Sequence, residues 1–401
     1  MPVLNMPDGM IPSRGGTEGD VRPLRVLQIG MEWFTPTSAG GLARVYADLF
    51  KSLPQAGIEP VGLVSGPAGV AELTGGHVRS FTQDGASFMG RMLGARHGVN
   101  HILRTERVDV VAGHFALYAV PALDALKRQP LVFHFHGPWA AESRREGHNG
   151  AIVALKQFLE TMVYRRAQRV IVLSRAFGEL AVQSYGIPEE CLRQMPGSVD
   201  VARFAVDESP GEARDILGWP SDRPILLTVR RLASRMGLDR LLTAMVPIVK
   251  AVPEILLYIA GKGPLAEALR QQSTALGLDK NVRFLGFVPD SDLPLVYRAA
   301  TINLLPTDML EGFGLSAAEA LAAGTPSMVT PVGGLPDVVS DLAPELIFRS
   351  GSSEDLAEGL IAALRGDIRL PDSESCRCYA AARFDPLLFA RRVADVYREV
   401  V

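Results

Sequence analysis

Cysteine is nearly absent from this chain: 401 residues hold three, Cys191, Cys376 and Cys378. An odd trio excludes a disulfide framework. Cys376 and Cys378 have no second Cys/His pair at ligand spacing, so free thiols are expected rather than a structural zinc site. Long apolar runs are missing as well, and none reaches the roughly 18 residues of a membrane-crossing helix. Residues 1–21 are rich in proline and glycine, lack the apolar centre of a signal peptide, and read as a flexible leader. Neither sign of charge is in excess: 41 Lys+Arg stand against 44 Asp+Glu, a net of −3, which offers nothing to attract nucleic acid. A cytoplasmic protein is expected.

What is present is ordinary globular material, with 47% hydrophobic and 21% charged residues. The length exceeds what one compact core usually supports. Short apolar runs at Leu24–Ile29, Pro60–Val64, Val108–Ala112, Leu131–Phe135 and Arg169–Leu173 alternate with helix-period segments such as Leu42–Leu53 and Ala151–Tyr164. A stretch rich in Pro, Gly and Asp, Pro196 to Pro224, interrupts the pattern. It resumes at Ile225–Val229, Ile255–Ala260, Val282–Leu285, Thr301–Leu305 and Pro326–Val329. Two βα series predict two Rossmann-like, doubly wound α/β domains facing each other across a cleft, at 22–200 and 201–380. Residues 381–401 carry Leu388, Phe389, Val393, Val396, Tyr397 and Val400 at helical spacing, which predicts a helix packing back on the first domain.

In such folds ligands sit beyond the carboxyl ends of the strands. The richest stretch there is Glu311-Gly-Phe-Gly-Leu-Ser-Ala-Ala-Glu319, which follows a strand and opens an Ala-rich helix. Exposed amides at such a helix start suit a phosphate. Glu311 and Glu319 fall on roughly one helix face, where two carboxylates can accept hydroxyl hydrogen bonds on either side of a diphosphate. A lone pair at this spacing would more often be a cap and a solvated residue; Gly312, Gly314 and the later Gly333-Gly334 favour the ligand site.

With these residues the chain resembles glycosyltransferase family 4, retaining enzymes of GT-B architecture, from Leu24 to its end. The matching pieces are Gly40-Gly41-Leu42, Phe135-His136-Gly137, Pro196-Gly197-Ser198-Val199-Asp200, Arg231-Leu232, Gly261-Lys262-Gly263-Pro264, Phe284-Leu285-Gly286-Phe287-Val288, Glu311 to Glu319, and Val332-Gly333-Gly334-Leu335-Pro336. The resemblance implies transfer of a sugar from a nucleotide diphosphate to a glycan, lipid-linked or small-molecule acceptor, with no metal and no cofactor. It implies that Glu311 holds sugar hydroxyls, Glu319 the ribose, and the amides of Gly312, Phe313, Gly314 and Leu315 the phosphate. Arg231 would neutralise the leaving diphosphate, and backbone near Phe287 and Val288 would read the base. Gly40 and Gly41 would approach the phosphate, His136 would lie beside the sugar, and His114 would touch the acceptor. Front-face attack is implied, the leaving phosphate oxygen helping to take the acceptor proton.

The chain departs from that pattern in two places. Where the family reads G-R-L-x-x-x-K-G, this chain has Arg230-Arg231-Leu232-Ala233-Ser234-Arg235-Met236-Gly237. The phosphate-binding lysine is thus Met236, and Arg235 is the expected substitute; Arg230, opposite to Arg231 on an extended strand, is expected to point away. The opening Glu32-Trp33-Phe34…Gly40-Gly41-Leu42 is similar to starch and glycogen synthases, but their K-x-G-G lysine is Ser38 here, which disfavours a glucan synthase. A sugar-nucleotide epimerase or a non-catalytic nucleotide-sugar binder shares the architecture. A dehydrogenase is disfavoured because Gly261-x-Gly263 lacks the third glycine and the downstream acid. Finally, residues 144–169 place Arg144, Arg145, Lys156, Arg165, Arg166 and Arg169 around Ile152, Leu155, Leu159 and Val163. This is either a packed helix with a solvated basic face or one that lies on the inner face of an anionic membrane.

Overall fold

A computed structural model describes residues 22–34, 41–66, 69–83, 85–144 and 147–401, and the backbone of Arg145. The leader, Ser38 and Gly40 lie outside the described residues. Two parallel sheets carry the fold. The first has the order β3-β2-β1-β4-β5-β6-β7, from β1 (Leu24–Ile29), β2 (Ile58–Val64), β3 (Val78–Ser80), β4 (Val110–Gly113), β5 (Leu131–Phe135), β6 (Arg169–Val172) and β7 (Leu192–Gln194). The second has the order β10-β9-β8-β11-β12, from β8 (Ile225–Val229), β9 (Leu256–Ala260), β10 (Val282–Gly286), β11 (Ile302–Leu305) and β12 (Ser327–Val329). Central strands such as β9 are buried throughout, as sheets covered on both faces require. The two doubly wound α/β units read from the sequence are present.

Strand order reverses beside β1 in one sheet and beside β8 in the other, so both switch-point crevices open at the carboxyl ends of the strands. The interdomain seam is packed by small residues under aromatic ones. A Cβ at Gly197 would meet the Phe313 ring, and one at Gly312 would meet Phe177.

The final helix, Pro386–Arg398, starts on Asp385, whose carboxylate accepts from the amides of Leu387 and Leu388 at 2.8 and 3.0 Å, with proline at its first position. It leaves the second domain and packs on the first, against Gly41–Ser52 and Leu53–Ala56. Tyr397 is fully buried there, and Arg398 donates to the carbonyl of Ala56 at 2.7 Å.

Candidate active site

Between β11 and the helix Leu315–Ala322 the chain folds into a tight loop. Leu310 has φ 55°, the one non-glycine residue in the left-handed region among the described residues. Such a conformation costs a branched residue about 1–2 kcal/mol and marks a held, functional backbone. Its carbonyl accepts from Arg235 at 2.9 Å. Gly314, at φ 96°, is the N-cap of the helix, and a Cβ there would strike Leu335. Gly333, at φ 58°, lies so close to the Glu311 carbonyl that no side chain fits, and Gly334 donates to that carbonyl at 2.8 Å. Glu311 is therefore fixed by its neighbours' lack of side chains. The amides of Gly312, Phe313 and Gly314 donate to no acceptor among the described residues, and Leu315 begins the helix without an intrahelical partner. The Phe313 side chain is buried, packed on Phe384 with centroids 5.5 Å apart and beside Gly197.

Glu319 is buried and accepts from the Tyr297 hydroxyl at 2.8 Å. Burial raises its carboxyl above the usual range, while the Arg44 guanidinium and the Tyr297 hydrogen bond oppose the shift. Arg44 comes from the first domain, on the helix Gly41–Ser52, and pairs with Asp290 of the second; Arg203 joins the same carboxylate at 2.9 Å. Gly41 opens that helix, and a Cβ there would sit 3.8 Å from Leu315. The first domain thus meets the phosphate-side helix at Gly41 and the Glu319 carboxylate through Arg44. Phe287 stands at the mouth beside Val288, 40% exposed, with the Lys262 ammonium 5.3 Å from its ring centroid.

The arginines differ from the expected arrangement. Arg230 does not point away: its side chain is 6% exposed and forms an ion pair with Glu311. Arg235 is occupied elsewhere, on the Leu310 carbonyl and at 3.5 Å from Glu142 of the first domain. The alternation that would turn Arg230 outward belongs to an extended strand, but β8 ends at Val229 and a short 3-10 turn, Ser234–Met236, follows. Arg231 makes no side-chain hydrogen bond or ion pair among the described residues.

On the first domain, β4 and β5 end side by side and bring three histidines into one stack. The His114 ring lies 4.1 Å from His134 and 5.4 Å from His136, at interplanar angles of 13° and 19°. Their ring nitrogens come within 4.8 Å of one another. Lone pairs lie in the ring planes, and near-parallel planes do not converge on one ion at the ~2.0 Å a metal needs. The stack is instead a hydrogen-bonded relay. Gln28 Nε2 donates to the Tyr397 hydroxyl at 3.1 Å, which turns Oε1 toward His114 Nε2 at 2.7 Å. His114 therefore carries its hydrogen on Nε2 and presents bare Nδ1 to His136 Nε2 at 3.1 Å. His136 Nε2 must be the donor, leaving its Nδ1 as an acceptor. Burial holds His136 down to about 4, and burial together with the neighbouring rings holds His114 and His134 well below the usual histidine range.

Groups whose folded pKa is depressed below the unfolded value of 6.5 stay neutral in the fold and take up protons when the chain unfolds. Their stabilisation is present above pH 6.5 and is lost as pH falls toward 4. Each contributes a slope of about 1.4 kcal/mol per pH unit in that window. Chemical denaturation at pH 7, 6 and 5 should show a steep loss of stability; a flat profile would mean the three rings are not held neutral.

Beside this stack a cavity of about 540 Å³ opens at the carboxyl ends of β1, β2 and β4, lined by Glu32, Ser65, Gln83, Arg91, Phe115 and Tyr118 among others. Arg91 has a buried Nε without a partner among the described residues. Its contents are polar groups with apolar backing, a setting for a hydroxylated ligand.

The sequence pattern of glycosyl transferases group 1 matches residues 211–383, and that of glycosyltransferase family 4 matches residues 39–203. A 2-deoxystreptamine N-acetyl-D-glucosaminyltransferase from Streptomyces fradiae is 31% identical over 298 residues, covering 71% of this chain and 68% of that one. The chain belongs to the group 1, family 4 glycosyltransferases. Another member, a D-inositol 3-phosphate glycosyltransferase from Saccharomonospora viridis, is 32% identical over 252 residues, 60% of this chain and 58% of the relative. The chain thus spans under two thirds of that glycosyltransferase's length. The GT-B fold is shared with a sucrose-phosphate synthase from Thermosynechococcus elongatus, with a TM-score of 0.76 at 20% identity over 94% of this chain and 98% of that one. It is shared equally with an Anabaena protein solved with UDP, TM-score 0.75 at 21% identity, covering 94% and 100%. Within this glycosyltransferase, sequence reasoning missed Arg44, Asp290 and Gln28, whose partners lie far away along the chain, and Tyr297, which reaches Glu319 from the preceding helix.

Proposed function

We propose that the protein is a retaining, metal-independent glycosyltransferase that moves a sugar from a nucleotide diphosphate to a hydroxyl acceptor. The observation that carries this reading is the Glu311–Gly314 loop, whose amides find no acceptor among the described residues, beside a fixed carboxylate at a helix start. The diphosphate takes the amides of Gly312 to Leu315, with Arg231 neutralising the leaving group; Glu311 accepts from sugar hydroxyls. Glu319, with Arg44 beside it, serves the ribose, and Phe287 and Val288 flank the base. Gly40 and Gly41 let the first domain close on the phosphate. Neutral His136, held by His114, accepts a hydrogen bond from the sugar. Arg235 acts indirectly, by holding Leu310.

Donors solved with or named for related proteins include UDP-glucose and GDP-mannose. The acceptor occupies the cavity of about 540 Å³, its hydroxyls on Glu32 and Gln83 and an anionic group at Arg91. Inositol phosphate, the acceptor named for one relative, has that chemistry. Lipid-linked acceptors fit a second feature. Crossovers from β3 to β4 and from β5 to β6 run the same way across the sheet, so right-handedness puts the helices Phe88–Thr105 and Gly150–Tyr164 on one face. Both leave apolar side chains outward: Phe88, Met89 and Leu93 on one, Ile152, Leu155 and Phe158 on the other. Exposed Arg104, Arg144 and Arg165 rim them, which suits an anionic bilayer. No helix among the described residues is long and apolar enough to cross a membrane.

Thermal unfolding with UDP, GDP and ADP in chelator tests the donor site. The matching nucleotide at a hundredfold its Kd should add about 2.7 kcal/mol of stability. A requirement for a divalent ion would remove the metal-independent reading.

A further inference from the structure

The departures at positions 230 and 236 form one feature. The family pattern has glycine at the first position and lysine at the second; this chain has arginine and methionine. We propose that Arg230 is the second cation of the diphosphate site, its charge relocated from position 236. The inference rests on the nucleotide-sugar reading above.

Two contacts and one unpaired nitrogen locate the guanidinium. Its Nε lies 3.2 Å from the Met236 sulfur, so the Arg230 side chain ends where the side chain of residue 236 projects. Its Nη2 is paired with Glu311, the carboxylate assigned to the donor sugar. Its Nη1 is buried and has no partner among the described residues. A guanidinium brings five donors in a planar fork, and here one nitrogen rests on a weak sulfur acceptor and another is unsatisfied. Buried N–H groups left unpaired are costly, and the oxygen of an anionic ligand is what would satisfy them. The unpaired edge of the fork therefore offers its N–H donors to an anionic oxygen beside Glu311.

Methionine at 236 makes this arrangement feasible. It is flexible and uncharged, and its thioether packs against the guanidinium without repelling it. A lysine at 236 beside Arg230 would place two cations in contact inside a partly desolvated cleft. Glycine at 230 with methionine at 236 would leave Glu311 with no cation at all. The two positions are coupled, and the other neighbouring cation is unavailable, because Arg235 is bonded to the Leu310 carbonyl and faces Glu142. On donor binding Arg230 keeps one nitrogen on Glu311 and turns Nη1 to a phosphate oxygen, joining sugar-side and phosphate-side recognition in one residue.

The test is a swap measured in two ways, by calorimetric binding of the nucleoside diphosphate and by its acceptor-dependent release from the donor. Arg230→Gly should weaken diphosphate binding and lower kcat/KM at least tenfold. Met236→Lys alone should also lose activity, through the crowded charges. Arg230→Gly with Met236→Lys, which recreates the family pattern, should return to within a few-fold of the parent. Arg230→Gln, which keeps a polar side chain but is shorter and uncharged, guards against a glycine variant that fails to fold, and should match Arg230→Gly. The proposal is overturned if a folded Arg230→Gln protein binds diphosphate as tightly as the parent, or if the double variant is no better than Arg230→Gly. A parent protein that binds no nucleoside diphosphate and releases none overturns the nucleotide-sugar reading itself, a result distinct from either.

Discussion

Glu311→Gln is expected to lower kcat by roughly tenfold to more than a hundredfold. A hydrogen bond to a charged acceptor is worth about 1.5–3 kcal/mol, and each 1.36 kcal/mol of lost transition-state stabilisation is tenfold in rate. Sugar hydroxyls bound by an ionised carboxylate gain as positive charge develops at the anomeric carbon, so the loss should fall on kcat more than on KM. The structure adds a second consequence. Glu311 is the partner of a guanidinium only 6% exposed, so the amide leaves Arg230 with an uncompensated charge. A stability loss of about 1–3 kcal/mol should accompany the kinetic effect. Activity must therefore be measured below the lowered melting temperature. Near-parental kcat in folded Glu311→Gln would remove the carboxylate from sugar binding.

The second large effect is expected from deleting everything after Asp385. The final helix buries Phe389, Val393, Val396 and Tyr397, and a large apolar side chain contributes about 1.5–3 kcal/mol on burial. Losing four amounts to roughly 6–12 kcal/mol, comparable to the whole stability of a domain at about 5–15 kcal/mol. The damage should appear in the first domain. Tyr397 shares a 2.9 Å hydrogen bond with His134 Nε2 and accepts from Gln28, and Glu399 pairs with Arg169 and Arg193 at the far end of the same sheet. Limited proteolysis should find residues 22–194 cleaved first in the shortened protein. A truncated chain melting with the parent would show that the helix is an appendage. Tyr397→Phe is the finer probe: it keeps the ring and removes only the hydroxyl that fixes the Gln28 carboxamide, so it should disturb the His136 relay while leaving the helix docked.

Ten of the strands announce themselves in the sequence as apolar runs, nine of them largely buried and the tenth, β10, an edge strand whose Val282, Phe284 and Leu285 still make a short run. The two that do not, β3 and β7, read Val-Arg-Ser and Leu-Arg-Gln and lie at the two edges of the first sheet, where half-exposed residues carry no hydrophobic run. The Glu311–Glu319 loop is legible for a similar reason: a helix start made of glycines and small residues is a local arrangement. Arg230 is not, because its direction depends on where β8 stops. The strand end at Val229 is read correctly from the sequence; the alternation that would turn Arg230 away simply stops applying there, and the turn that replaces it is not visible in the pattern. The Arg44–Asp290 pair and the Gln28–Tyr397 contact join residues hundreds of positions apart, and nothing local in either segment marks them. The stripe of Ile152 and Leu155 looks like an inward face by its period, yet both side chains are outward, while Val153 and Val163 face the core.

The central claim is that this cleft transfers a sugar from a nucleotide diphosphate. It is tested most directly by incubating the whole protein with radiolabelled UDP-, GDP- and ADP-sugars and candidate acceptors in chelator, free in solution and in anionic vesicles. The account predicts that one donor releases nucleoside diphosphate only when an acceptor is present, with the label in a product that keeps the donor's anomeric configuration. Conversion of the nucleotide sugar without any acceptor, or no turnover of a donor that binds, would contradict it.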